Sequence, residues 1–381
     1  MAHHRAPLSS LLALASACPT MAAVPGDNQL GYRFSQYQEA DTPANRVASG
    51  SSQRYDISIH QLHWRQTLAD SWQLQADASL ESMTGASALQ TYANDAGQSE
   101  VIMSGASIDE SRRDIRLGLG RYFSEGTIKA GMYHSQENDY RARALNISGE
   151  LELNQAHTVL SVGYGLSNDR LNPSDAIGIA QRQAADGESK KSRDLYFGVS
   201  QIINRYEVIQ LTLAQRYQQG YLSDPYRSLD VRPDERLGSS ISVLYRWYLT
   251  RLDAAMDWVY RYYKDDWQVA SHALEARWLQ DLTQYVRWRG SLRAYQQSEA
   301  EFYSLSASRE GSFQSSDSRL SAYGALTLGL GLDFLLQSFT VSIDWAQYES
   351  REQWGPAGQD AEEAPSLVNY QLMSLGLLYR Y

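Results

Sequence analysis

Met373-Ser374-Leu375-Gly376-Leu377-Leu378-Tyr379-Arg380-Tyr381 carries an apolar or aromatic side chain at every odd position and stops on an aromatic ring. Successive side chains of a strand point to opposite faces, so Met373, Leu375, Leu377, Tyr379 and Tyr381 form one apolar row, while Ser374, Gly376 and Arg380 lie opposite. An apolar row on one face and small or polar groups on the other suit a strand that meets hydrocarbon outside and water inside. The expected fold is therefore all-β: a transmembrane antiparallel up-and-down β-barrel.

The rest of the chain repeats the pattern. Sixteen alternating segments are predicted, near residues 29–37, 54–67, 72–83, 111–122, 127–138, 142–153, 157–167, 193–203, 206–217, 238–249, 253–262, 267–279, 284–296, 318–330, 337–348 and 368–381. Tight links fall at Ala69-Asp70-Ser71, Ser124-Glu125-Gly126, Asn154-Gln155, Asn204-Arg205, Thr250-Arg251-Leu252 and Asp281-Leu282-Thr283, and read as periplasmic turns. Long polar links at 38–53, 84–110, 168–192, 218–237, 297–317 and 349–367 read as outer loops. An even strand number returns both termini to the periplasmic side. A large β-sandwich has a similar period, with polar side chains outward and apolar ones inward, but explains neither the last strand nor the loop lengths.

Faces can be assigned. Ile241, Val243, Tyr245, Trp247 and Leu249 alternate with Ser240, Ser242, Arg246 and Tyr248; Phe339, Val341, Ile343 and Trp345 alternate with Thr340, Ser342 and Asp344. Lipid is expected to take the first set of each. From Tyr55 the odd apolar row Tyr55, Ile57, Ile59 gives way to the even row Leu62, Trp64, and a β-bulge near His60 or Gln61 would restore the phase.

The amino terminus predicts an address. His3, His4 and Arg5 make a short basic start, Leu8 to Ala17 is apolar, and Ala15-Ser16-Ala17 or Thr20-Met21-Ala22 could be cut, so residues 1–22 read as a secretory signal peptide ahead of one barrel domain, 23–381. Cys18 is the only cysteine, and Ala15-Ser16-Ala17-Cys18 loosely resembles a lipoprotein site without the usual Leu three residues before the Cys. Cleavage after Ala22 or Ala23 would leave no thiol, and with it no disulfide, thiolate metal site or cysteine catalysis.

Composition alone, 43% hydrophobic and 20% charged over 381 residues, would suit two soluble domains. Alternation disperses apolar residues, however, so a membrane barrel shows no long hydrophobic run. The 26 Tyr and 9 Trp fit interfacial girdles. A net charge of −10 argues against a nucleic-acid partner.

The last strand resembles the C-terminal assembly signal of bacterial outer-membrane barrels. Glu81-Ser82-Met83-Thr84-Gly85-Ala86-Ser87, Met103 to Arg112, Glu137-Asn138-Asp139-Tyr140, Tyr221 to Arg227, Arg232-Pro233-Asp234-Glu235-Arg236, Tyr262-Tyr263 with Asp266-Trp267, Tyr295 to Tyr303 and Ser316 to Leu320 resemble a family of uncharacterised Gram-negative outer-membrane β-barrel proteins. The resemblance implies an outer-membrane location and contact with outer-membrane lipid and the barrel-assembly machinery. It carries over no site residue. Monomer and trimer both fit an apolar outer wall.

Selectivity has to come from the lumen, since outward positions meet hydrocarbon. Asp253 and Asp257, then Glu275 and Arg277, then Arg287, Arg289 and Arg293 fall on the polar phase of three consecutive segments and predict a lateral charge ladder. Asp77, Glu81, Arg112, Asp114 and Arg116 predict a second one on another wall. Facing charges set ion selectivity in a pore; the same ladder also fills a plugged barrel, because buried charges need partners. Gly85-Ala86-Ser87 and Gly105-Ala106-Ser107 form an echo that either narrows the mouth or packs on its rim. Ser223-Asp224-Pro225-Tyr226 and Arg232-Pro233-Asp234 predict a rigid loop or a salt-bridged cap.

Enzyme chemistry finds little support. After the signal only His60, His63, His134, His157 and His272 remain, and HExxH, a phosphate loop and a nucleophile elbow are missing. His134 and His272 lie on apolar phases and read as interfacial side chains. Asp360, Glu362 and Glu363 read as a solvated charge run. No catalytic residue, metal site or cofactor is expected. Two functions remain: a pore or transporter for small polar or ionic solutes, and a closed, loop-plugged scaffold or surface-interaction barrel.

Overall fold

The computed structural model describes residues 24–105, 110–173, 180–305, 313–356 and 364–381. The predicted signal segment with Cys18, the second half of the Gly-Ala-Ser echo at 106–107, and Asp360, Glu362 and Glu363 lie outside the described residues.

The strands are β1 (Gln29–Glu39), β2 (Val47–Ser49), β3 (Asp56–Leu68), β4 (Trp72–Thr84), β5 (Ala88–Ala93), β6 (Ser99–Met103), β7 (Glu110–Phe123), β8 (Gly126–Gln136), β9 (Tyr140–Leu153) and β10 (Thr158–Leu171). They continue as β11 (Ser189–Asn204), β12 (Glu207–Gly220), β13 (Glu235–Leu249), β14 (Ala254–Asp265), β15 (Ala270–Thr283), β16 (Val286–Gln297), β17 (Tyr323–Leu336), β18 (Phe339–Arg351) and β19 (Tyr370–Arg380). Sixteen of them close an antiparallel barrel in the order β1-β3-β4, β7 through β19, and back to β1. Gln29 opposite Arg380 and Glu39 opposite Tyr370 make the seam. The remaining three, β2, β6 and β5, form a small sheet in the outer loops.

All sixteen predicted segments are barrel strands, because period-two alternation is what a wall between lipid and lumen imposes. Met373, Leu375, Leu377, Tyr379 and Tyr381 face outward and exposed, as do Leu326, Leu328, Leu330 and Leu332 on β17. Inward positions are small, polar or charged, such as Ser35, Ser148, Ser200, Thr212, Thr340 and Ser374, all buried. The tight turns rely on left-handed backbone: Ala69 (φ 45°) with Asp70 (φ 43°), Asn154 (φ 53°) with Gln155 (φ 56°), and Asp253 (φ 48°).

Three expectations are corrected. No bulge interrupts β3, which pairs with β1 and β4 in continuous register. Tyr55, Ile57 and Ile59 instead point inward, where they pack with Tyr37, Met83, Tyr370 and Leu372 as an apolar cluster inside the outer mouth. The change of apolar phase along β3 is thus a change of surroundings, from loop core to lipid. Strand β17 starts at Tyr323 rather than 318, because Ser318–Leu320 is a 3-10 turn whose cap, Asp317, accepts from Arg319 N. Finally, not every outer link is long, as the six predicted outer loops are: β8–β9 and β14–β15 are joined on the outer side by only residues 137–139 and 266–269.

An outward Leu330→Arg exchange near the middle of β17 is expected to destabilise the barrel by roughly 2–4 kcal/mol. Reversible denaturant unfolding from bilayers measures it, and an unchanged midpoint would contradict the lipid-facing assignment.

Candidate functional site: a charged lumen under an interlocked cap

The outer loops are built to meet one another. Segment 85–105 leaves the wall between β4 and β7, while 221–234 leaves it between β12 and β13, six strands further round. They nevertheless touch: Ser228 N donates to Leu89 O (2.9 Å). Segment 313–322, from between β16 and β17, joins both. Val231 and Gln314 exchange two backbone hydrogen bonds (2.9 and 2.8 Å), and Thr91 N lies 3.4 Å from Ser316 Oγ. Ser318 Oγ and Arg54 Nη1 both donate to Ser366 O (3.1 and 3.5 Å), tying in the last loop and the first. Gly85 makes the fold of its loop possible, since at φ +126° a Cβ would stand 2.4 Å from Arg54 O. Ala86 and Ser87 are buried and bonded locally, to Gln53 and Ser104, as a compact loop, and the contacts across the mouth come from Leu89 and Thr91 further along.

Charge locks these loops. Asp317 is fully buried and receives Arg319 Nε (2.9 Å), Arg232 Nη2 (2.9 Å) and Arg227 Nη2 (3.6 Å). Arg319 Nη2 also reaches Asp224 Oδ2 (3.1 Å), and Arg232 Nε reaches Asp230 Oδ2 (2.8 Å). Burial alone would push the Asp317 carboxyl up; the guanidiniums of Arg319, Arg227 and Arg232 outweigh it and hold the group well below the usual carboxylate range. Of the two forms predicted for residues 223–226 and 232–234, the salt-bridged cap is the one present. Trp267, Val269, Ala300 and Leu320 add an apolar core beside it. Tyr226 OH donates to buried Asp139, bringing the short link 137–139 into the same assembly.

Within that link, Glu137 stands out. Its carboxyl is pushed up to about 8, first by burial and then by Asp139, Glu110 and Glu81, against the single cation Arg112 (3.8 Å).

Below the cap, the predicted ladder residues other than Asp253 sit on the inner wall, but their pairing differs from a lateral ladder across three strands. Asp257 is held by Arg246 of β13 (Nη2–Oδ2 2.6 Å), its direct cross-strand partner. Glu275 and Arg277 pair along β15 (2.6 Å), and Arg287 pairs with Asp281 (2.5 Å). Arg289 reaches over Gly331 to Asp333 (2.8 Å) and Asp344 (2.7 Å), and Arg33 completes the set on Asp344 (3.1 Å). A Cβ on Gly331 would lie 2.9 Å from the Arg289 guanidinium carbon, so a larger residue there would push the bridge aside. Asp253 is not in the lumen set. It sits in the periplasmic turn and accepts from Tyr248 OH. Arg293 lies over the Tyr295 ring (5.6 Å). Among the described residues neither Arg293 nor Arg261, which touches Ser240 Oγ (3.4 Å), has a carboxylate within 4.0 Å.

On the second wall Arg112 gathers Glu81 (3.7 Å) and Asp114 (3.5 Å), Asp77 accepts His63 Nδ1 (2.7 Å), and Arg116 lies over Tyr133 (5.4 Å). Sequence reading placed Arg246 and Asp344 on the inner face without naming them as charge partners, and missed Arg33, Arg261, Asp333 and His63 as lumen residues. Counting outward from each hairpin turn would have found Arg246 opposite Asp257. His272 faces outward and meets Tyr260 OH (2.7 Å) at the rim.

Space remains between the walls. One cavity of about 670 Å³ is lined by Asp77, Lys129, Glu150, Lys190 and Arg216, with Val24, Pro25 and Gly26 at its periplasmic side. A second, about 400 Å³, lies against Arg33, Arg246, Asp257, Arg277 and Arg289.

Residues 7–364 match the family model described as protein of unknown function (DUF3570). The chain belongs to the DUF3570 family. No curated protein matches this DUF3570 chain in sequence. Among solved structures, CdiB from Acinetobacter baumannii superimposes with a TM-score of 0.51 at 9% identity, over 93% of this chain and 60% of that one. A bacterial polysaccharide outer membrane secretin gives 0.48 at 12% identity, covering 93% and 98%. Pseudomonas aeruginosa OpdQ gives 0.44 at 9%, covering 93% and 98%. The likeness to CdiB is one of fold alone, and this DUF3570 barrel spans 60% of its length. The fold is that of an outer-membrane β-barrel.

Glu137 gives the cap a pH dependence with a defined sign. Its folded-state value lies above the ordinary 4.5, so its contribution is complete below that value and is lost as pH rises to about 8. Hydrogen exchange at the amides of Ser315 to Asp317 is expected to gain protection-breaking openings, beyond the intrinsic base-catalysed rise, between about pH 5 and about pH 9. Glu137→Gln should flatten that excess; an equal excess in both proteins would contradict the assignment.

Proposed function

We propose that this chain is an outer-membrane barrel that passes small polar or ionic solutes through its lumen, with the interlocked outer loops as the gate. The observation that carries this reading is the 670 Å³ cavity that remains beneath the cap, with Asp77, Lys129, Glu150, Lys190 and Arg216 in its lining. A wall of sixteen strands is wide enough to keep an aqueous path. Its outward apolar rows match a bilayer, which supports an outer-membrane location. The outward row Met373, Leu375, Leu377, Tyr379 and Tyr381 would be the surface offered to the barrel-assembly machinery during insertion.

The paired walls leave Arg261 and Arg293 as lumen cations without a carboxylate partner, so the path favours anions over cations of similar size. The cap is the alternative's best support. An ion cluster centred on buried Asp317 also suits a sealed scaffold whose function lies on its outer surface.

Planar-bilayer recording of the mature barrel separates the two. Asp317→Ala removes the shared anion of three arginines, which for a buried network costs roughly 3–5 kcal/mol, and is expected to raise conductance and open frequency. Arg261→Gln with Arg293→Gln should then shift the reversal potential toward cations. Folded wild type and Asp317→Ala barrels that are both silent would overturn the pore in favour of the sealed scaffold.

A further inference from the structure

The outer wall is not uniform. Outward positions on β7 to β11 carry no acidic residue, yet near the outer rim they carry Arg113, Arg141, Arg143, Arg170, Lys191 and Arg193, all exposed. None of the six has an ion-pair partner among the described residues. The strand register shows why this is a patch and not a scatter. Arg113 lies opposite Gln136, Gln136 opposite Arg141, and Arg141 opposite Arg170. One step lower, His134 faces Arg143, Arg143 faces Asn168, and Asn168 faces Lys191. The next row is Leu117, Met132, Leu145 and Leu166, where the apolar band begins.

Neighbouring strands are about 4.8 Å apart, so the two polar rows cover roughly 20 Å of rim, with Arg193 at the border of the apolar band. Like charges at this spacing repel, and at the edge of hydrocarbon water screens them less than on a soluble surface. The wall is therefore incomplete without anions. They must come from a molecule whose charge sits at headgroup height and whose apolar part lies along Leu145 and Leu166.

We propose that this face is a binding site for a phosphorylated lipid of the outer leaflet, its phosphates on the Arg141, Arg143, Arg170 and Lys191 cluster and its acyl chains against the leucine row. Arginine suits the role, since its planar fork takes phosphate oxygens in pairs. The inference rests on the bilayer placement proposed above and is independent of solute passage.

The test uses the full mature barrel in phosphatidylcholine nanodiscs containing a minor fraction of lipopolysaccharide, with bound glycolipid counted by native mass spectrometry. Wild type is expected to retain lipopolysaccharide about a hundredfold more tightly than Arg141→Gln/Arg143→Gln/Lys191→Gln, taking each of the three lost cations as about fivefold. Enzymatically dephosphorylated lipopolysaccharide should bind wild type as weakly as the variant binds the intact lipid; this arm needs no substitution and so stands if the variant fails to fold. Equal retention by the folded variant, or undiminished binding of the dephosphorylated lipid, would overturn the site. Displacement by millimolar inorganic phosphate would also overturn the lipid assignment, leaving a general anion surface. A barrel silent in conductance that still holds the lipid would sink the pore and leave this site standing.

Discussion

Closure of the sheet governs everything else in this molecule. Hydrocarbon offers no partner to a backbone N–H or C=O, so a spanning sheet cannot keep an edge. Here β1 and β19 satisfy each other along their whole length, from Gln29 with Arg380 to Glu39 with Tyr370. Once the sheet is closed, every strand has one face in lipid and one in the lumen, and the period-two pattern follows. The inward face then inherits the charges, and each buried charge needs a partner within reach. That requirement accounts for Arg246 with Asp257 and for the reach of Arg289 across Gly331.

The cap turns the same physics to another use. Ion pairs buried away from water add little net stability, but losing one partner is costly, so they favour a single arrangement sharply over its near misses. Asp317 shared by Arg227, Arg232 and Arg319 fits that description. An apolar plug of equal size would stay shut; a plug held by charge can respond to pH, ions or ligand. Glu137, held protonated by burial among Asp139, Glu110 and Glu81, supplies a group that titrates in the accessible range.

How far the sequence could be read depended on the physical origin of each feature. All sixteen strands were legible, because lipid on one side enforces alternation over long stretches. The phase of β3 was misread, since Ile57 and Ile59 are apolar for a different reason: they line an interior cluster with Tyr37 and Leu372 that only the loops create. The start of β17 was set five residues early, because Ser318–Leu320 alternates acceptably as a strand but is claimed by the Asp317 cluster. Charge partners were the least legible. Side chains of this length span two strands, so pairing depends on register and on which intervening residue is glycine. The cap was foreseen only as one of two possibilities, because nothing in a single loop states which distant loop it meets.

If these loops gate a polar lumen, the contact between Thr91 and Ser316, where segments from different sides of the mouth join, is the place to hold the gate shut. Residues 24–381 contain no cysteine, so Thr91→Cys with Ser316→Cys in a barrel that starts there can be bridged by a short, cleavable bifunctional thiol reagent. Solute flux into proteoliposomes, measured before bridging, after bridging and after cleavage, is the most direct measurement. The account predicts flux that falls to background when the loops are tied and returns on cleavage; flux indifferent to the bridge would contradict it.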